Sequence, residues 1–151
     1  MADRAFGGVL FDLGLVTHSG VPGRVGCWIV LREAGGFRRR IFQSGPIESA
    51  ALITQLLGGR TREQTLHFGF TDFVRYIGGS VRGATVDRFD TTANAYHASI
   101  RIDVSGEDLL VKATPGDAVM VAVISGAPIY IAESVLDVTG GEGEFRGNSG
   151  G

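Results

Sequence analysis

Apolar positions recur along the chain with two different periods, and each change of period marks an element. Gly8 to Val16 is an apolar run bounded by the loop-like Thr17-His18-Ser19-Gly20. Val25 to Glu33 is apolar and aromatic, and Gly35-Gly36 leads straight into Phe37 to Gln43, so three strands are predicted. After Gly45-Pro46, the spacing of Ile47, Ala50, Ala51, Ile53, Leu56 and Leu57 fits a helix that Gly58-Gly59 stops. A second helix carries Phe70, Phe73, Val74 and Ile77, with Phe70 and Phe73 assigned to core packing, and ends at Gly78-Gly79. The pattern then restarts with a strand from Val81 to Phe89. Ala95 to Val104 alternates, with Tyr96, Ala98, Ile100, Ile102 and Val104 on one face and His97, Ser99, Arg101 and Asp103 on the other. Leu109 to Ala113 makes a short third strand. Pro115 to Ser125 is a predicted helix closed by Gly126, and a brief last helix is expected from about Ile131 to Asp137.

Strand, strand, strand, helix, helix is thus given twice, and the expected fold class is α+β, built from a duplicated three-strand, two-helix unit. The duplication leaves a trace at equivalent helix starts. Gly45-Pro46-Ile47-Glu48-Ser49 aligns with Thr114-Pro115-Gly116-Asp117-Ala118, each with proline at the first helical position and an acid two residues later. An acid there caps the helix and meets the positive end of its dipole. The same two carboxylates, Glu48 and Asp117, are also the best-placed acids for chemistry.

With 151 residues the chain has the size of one domain, taken as 1–138, followed by a glycine-rich tail over 139–151 that is expected to be disordered. Its 24 glycines are about twice the usual share of ~7%, which fits many turns. Fourteen basic and sixteen acidic side chains give a net charge of −2, so no bulk field draws the chain to nucleic acid or anionic lipid. A tail-type DNA binder is therefore excluded, and any nucleic-acid contact has to be local. The single cysteine, Cys27, has no partner for an intramolecular disulfide and reads as a structural thiol. Met1-Ala2-Asp3-Arg4 does not open a signal peptide, and the uncharged stretch from Ala118 to Ala132 is shorter than the ~20 residues a bilayer needs. A cytoplasmic location without membrane partners is expected.

The run Leu31-Arg32-Glu33, the segment Gly45-Pro46-Ile47-Glu48-Ser49-Ala50, the segment Ala113-Thr114-Pro115-Gly116-Asp117-Ala118 and the stretch from Ala127 to Leu136 resemble the bifunctional nuclease domain family. The likeness runs from about Leu13 to Asp137 and includes the helix that begins at His67. It implies a mixed, barrel-like sheet in a duplicated α+β fold, a wedge-shaped homodimer with an active-site groove, and nuclease activity on DNA and RNA. Two motifs depart from the family pattern. Where the family usually shows Pro-Arg-Pro-Leu-Thr-His-Asp, this chain reads Arg62-Glu63-Gln64-Thr65-Leu66-His67-Phe68, retaining only the histidine. Where it shows Ala-Arg-Pro-Ser-Asp-Ala, the arginine is replaced by Thr114 and the serine by Gly116, while Pro115 and Asp117 remain.

Phosphodiester hydrolysis needs charge neutralisation at the phosphoryl oxygens and a group that activates the attacking water. His67 is the leading acid–base candidate, because imidazole exchanges a proton near neutral pH. Glu48, Asp117 and His67 together make a hard-ligand set suited to Mg2+ or Mn2+, with the two carboxylates as metal ligands. Arg32, Arg62, Phe68, His97 and Arg101 are the candidate substrate-binding residues, whereas Glu63 opposes a phosphate. Arg38-Arg39-Arg40 is the only basic run and reads as a solvated strand edge, with Arg39 on the face opposite Arg38 and Arg40. A second reading keeps the fold but gives the groove to a less charged small molecule, with Phe68 lining an apolar cleft. Since function belongs to the site and not the fold, the arrangement of these side chains has to separate the two.

Overall fold

Each half of the chain contributes an antiparallel three-strand meander, and one short strand late in the sequence joins the two. A computed structural model describes residues 2–3, 8–21, 24–43 and 66–139, with side chains over 8–14, 28–42 and 66–138. The first half gives β1 (Ala2–Asp3), β2 (Gly8–Val21), β3 (Arg24–Glu33), β4 (Arg39–Gln43) and helix α1 (Leu66–Tyr76). The second gives β5 (Gly79–Asp90), β6 (Ala95–Val104), β7 (Glu107–Ala113), α2 (Pro115–Ser125), β8 (Ile129–Ala132) and α3 (Glu133–Thr139). The helix predicted over Ile47–Leu57 lies outside the described residues.

The strands form one mixed sheet in the order β4-β3-β2-β8-β5-β6-β7, with β1 paired to β2 off this path. Among the described residues it does not close, so the barrel-like sheet implied by the resemblance is an open α+β sheet. β8 is the joint, antiparallel to β2 and parallel to β5. It also corrects the expected last helix, which starts at Glu133 and not at Ile131. The reason is the alternation Ile129-Tyr130-Ile131, which sends both isoleucines into the core from a strand wedged between two others. β2 is longer than predicted: Thr17 to Gly20, read as a loop, pairs with Val25 to Trp28, with His18 opposite Cys27.

One face of the sheet carries Val9, Phe11, Ile29, Leu31, Phe42, Val86, Ala98, Ile100, Ile102 and Ile131, and α2 packs on it. That helix is buried almost all round, from Pro115 to Ala122, which explains why its sequence lacks an amphipathic stripe. Thr114 is its N-cap: Oγ1 accepts from the Asp117 backbone N–H at 3.2 Å. Gly126 ends it at φ 65°, where its N–H and that of Ala127 bond back to Val123 and Ala122. The capping expected of Asp117 is thus performed by Thr114, and the aspartate side chain is left for another partner.

The basic run departs from a solvated edge. Arg39 is exposed, but Arg40 is only 2% exposed and donates to the carbonyls of Arg39 and Leu136, tying β4 to α3. Arg38 reaches back across the β3–β4 turn, donating from Nη2 to Glu33 Oε2 at 2.5 Å and from Nε to both carboxylate oxygens. The hydrogen bonds and charge of Arg38 hold the Glu33 carboxyl below its ordinary value of 4.5, against a smaller opposing effect of burial. A lowered folded-state value means that the pair stabilises the fold above that ordinary value and loses its effect as the pH falls through the folded one. Glu33→Gln is therefore expected to lower stability near neutrality by about 1 kcal/mol. The gap to wild type should close on acidification, as read from thermal midpoints across the acid limb.

Candidate functional site

Two helix starts meet over one end of the β5-β6-β7 meander. The cross-strand row Val86, Ala98 and Ala113 marks that end. From Ala113 the chain leaves the sheet through Thr114 and enters α2, so Asp117 stands in its first turn. α1 packs against α2 and β5, and it carries His67 in its own first turn. Thr71, one turn on and buried, donates from Oγ1 to the His67 carbonyl at 3.0 Å, so the first turn is fixed from inside.

The outcome is a histidine–aspartate pair, with His67 Nε2 2.9 Å from Asp117 Oδ1. A carboxylate only accepts, so Nε2 is the donor. Nδ1 is buried with no hydrogen-bond partner among the described residues. A proton placed there would be an unsatisfied buried donor, which argues independently for the Nε2–H tautomer in the neutral ring. Exposure ranks the two groups: the His67 side chain is 12% exposed and that of Asp117 is 44% exposed. The aspartate therefore meets solvent, and the imidazole stands behind it.

Of the other predicted site residues, Glu48 and Arg62 lie outside the described residues. Phe68 is half-buried and packs against the core, so its ring continues the hydrophobic interior. Phe70 does the same, whereas Phe73, assigned to the core from its spacing, is 60% exposed. Because Ala98, Ile100 and Ile102 point to the helices, alternation sends His97 and Arg101 to the opposite face of the sheet. Arg32 is on β3, separated from β5 by β2 and β8, where it lines a cleft with Asp12, Arg38 and Arg39. The structure thus brings together His67 and Asp117, while Arg32, His97 and Arg101 stand elsewhere. No group of three His, Cys, Asp or Glu side chains converges among the described residues. The outward-facing Asp117 carboxylate can give one hard oxygen ligand to a divalent cation, whereas the buried Nδ1 of His67 cannot in this arrangement.

Thr114 was legible only as a lost arginine, although threonine before proline and two residues ahead of Gly116-Asp117 is an ordinary cap signal. Lys112, Arg88 and Asp87, which share the open strand face with His97 and Ser99, were also missed. Their signal lies in cross-strand register, which periodicity alone does not give.

The model of the bifunctional nuclease domain matches residues 29–143, and the chain belongs to that family. It is also similar to two proteins of Mycobacterium tuberculosis, named Uncharacterized protein MT1877 (strain CDC 1551 / Oshkosh) and Uncharacterized protein Rv1829 (strain ATCC 25618 / H37Rv). Each is 29% identical over 112 residues, covering 74% of this chain. The match spans 65% of the length of each of these relatives. Among the described residues no helix is long and apolar enough to cross a membrane.

Proposed function

We propose that the chain is a metal-assisted phosphodiesterase acting on nucleic acid, with Asp117 as the reacting-side carboxylate and His67 as the residue that holds it. The observation that carries this reading is the pair itself: the histidine and the aspartate of two separate motifs, 50 residues apart, hydrogen-bond at 2.9 Å. Their exposures order them as a presented group and its support. Family membership makes phosphodiester cleavage the first chemistry to consider.

In this reading Asp117 supplies one oxygen ligand to Mg2+ or Mn2+ and Glu48 a second. A bound divalent ion would neutralise charge on the phosphoryl oxygens and lower the pKa of a water. The chain's own contribution is placement. The Thr114 cap fixes the backbone of Asp117, and His67 Nε2–H selects one orientation of its carboxylate, leaving Oδ2 for the ligand. The same reading carries a homodimer. Leu66, Phe73, Tyr76 and Ile77 leave apolar surface exposed along and just beyond α1, the kind of surface that subunit contacts cover.

The test is cleavage of single-stranded DNA, duplex DNA and RNA by pure full-length protein, with and without Mg2+ or Mn2+. Metal-dependent cleavage is expected, and it should fall at least about a hundredfold in Asp117→Asn prepared in parallel. No cleavage of any of the three at high protein concentration would overturn the reading.

A further inference from the structure

On the sheet face opposite α2, a second set of polar side chains surrounds a cleft of about 550 Å3 lined by Asp87, Arg88, His97, Ala98, Ser99, Lys112 and Ala113. Its composition follows from register. Lys112 lies directly opposite Ser99, and Arg88 directly opposite His97. Between Val86 and Arg88 the pairing slips, and Asp87 is the extra residue of that irregularity. Asp87 Oδ2 accepts from Ser99 Oγ at 2.5 Å, and Ser99 is 8% exposed. The one carboxylate of the cleft is thereby engaged by a buried hydroxyl. Arg88 and Lys112 are exposed, and neither forms an ion pair among the described residues. Asp90, whose carboxyl accepts from the Ala93 and Thr92 backbone N–H groups, also feels the charges of Arg88 and His97, so the cleft sets two cations and a histidine against Asp87 and that neighbouring carboxylate, a local concentration of cations on a chain of net charge −2.

Its position adds to this. Ala98 and Ala113 line the cleft and also belong to the row at which the chain turns toward Thr114 and Asp117. The cleft and the His67–Asp117 pair therefore occupy the same end of the sheet on its two faces. We infer that this cleft binds a phosphoryl group, with Arg88 and Lys112 as the charge-bearing donors and His97 beside them, while the Asp87–Ser99 hydrogen bond fixes the floor of the cleft without contacting the ligand. The phosphoryl group can come from a nucleic-acid backbone or from a terminal phosphomonoester. In either case Arg88 and Lys112 meet a phosphate on the face of the sheet away from the Asp117 carboxylate. The inference requires no cleavage, so it stands or falls apart from the phosphodiesterase reading.

The experiment is an amide chemical-shift titration of the full chain with inorganic phosphate, in metal-free buffer against chloride at matched ionic strength. Saturable shifts are expected over residues 86–88, 97–99 and 112–113. In the Arg88→Gln/Lys112→Gln double variant, affinity should fall at least about tenfold while the rest of the spectrum superimposes. A nucleoside monophosphate and an unphosphorylated dinucleotide then identify the source: perturbation of the cleft by the first alone assigns a terminal phosphate, and by the second a backbone diester. Shifts that scatter over the surface, shifts that persist unchanged in the double variant, or a cleft that responds to none of these probes would overturn the inference. Phosphate binding without any cleavage would uphold it and remove only the phosphodiesterase.

Discussion

Asp117→Asn should lower metal-dependent cleavage by at least about a hundredfold, while His67→Gln keeps most of the activity that His67→Ala loses. The asparagine preserves shape and leaves the Thr114 cap intact, because that cap accepts from the Asp117 backbone and not from its side chain. What it removes is the negative charge at the exposed end of the pair. Glutamine carries an N–H that can occupy the place of the imidazole Nε2, so it can still donate to Oδ1, but it cannot exchange a proton as imidazole does. The three variants thus separate two roles for His67. If it positions the carboxylate, glutamine rescues; if it transfers protons itself, glutamine is as poor as alanine. The burial of Nδ1 selects the first outcome. A readout independent of turnover is the tautomer: nitrogen spectra of the neutral ring should show His67 carrying its proton on Nε2 and none on Nδ1. Equal activities for the glutamine and alanine variants, with an Nδ1–H ring, would assign the acid–base role to the histidine.

Strand alternation and helix punctuation were the legible part of this fold, because they depend on neighbours in the chain. Ala95 to Val104 and Pro115 to Ser125 have in the structure the limits that their sequences predict. β8 was hidden because a four-residue strand carries little periodicity, and its pairing partners lie on β2 and β5, far away in sequence. Phe73 was assigned to the core because spacing identifies an apolar stripe without saying what covers it. The stripe of α1 is wider than the surface it packs on, so Val74 is buried and Phe73 exposed. Arg40 shows the converse. Its neighbours made it look like an edge cation, yet two backbone carbonyls accept from its guanidinium in the interior. At the site, His67 and Asp117 could be named from their motifs, but not their order. Which of the two faces solvent depends on how α1 and α2 cross, a tertiary fact.

Restoring the family pattern at the altered motifs should weaken the protein before it improves any catalysis. The triple variant Glu63→Arg, Phe68→Asp and Thr114→Arg returns two cations and a carboxylate beside His67, which on charge alone favours phosphate binding. Two of those positions have acquired structural tasks. Removing the Thr114 hydroxyl deletes the N-cap of α2, at a cost of about 0.5–2 kcal/mol. Replacing Phe68 withdraws a ring packed against the core, about 1.5–3 kcal/mol of burial, and leaves a carboxylate in a half-buried place. Because both changes flank the same pair of residues, their effects need not add. A loss of about 2–5 kcal/mol is still a large part of the ~5–15 kcal/mol that holds a domain together. At about 2–4 °C per kcal/mol for a chain of this size, the thermal midpoint should fall by roughly 4–20 °C. Thr114→Arg alone should account for the smaller part and Phe68→Asp for the larger. A triple variant as stable as wild type would show that neither the cap nor the ring contributes as the structure indicates. A midpoint that falls as expected, with cleavage unimproved at a temperature where the variant is folded, would mean that cations at positions 63 and 114 are not what limits cleavage by this chain.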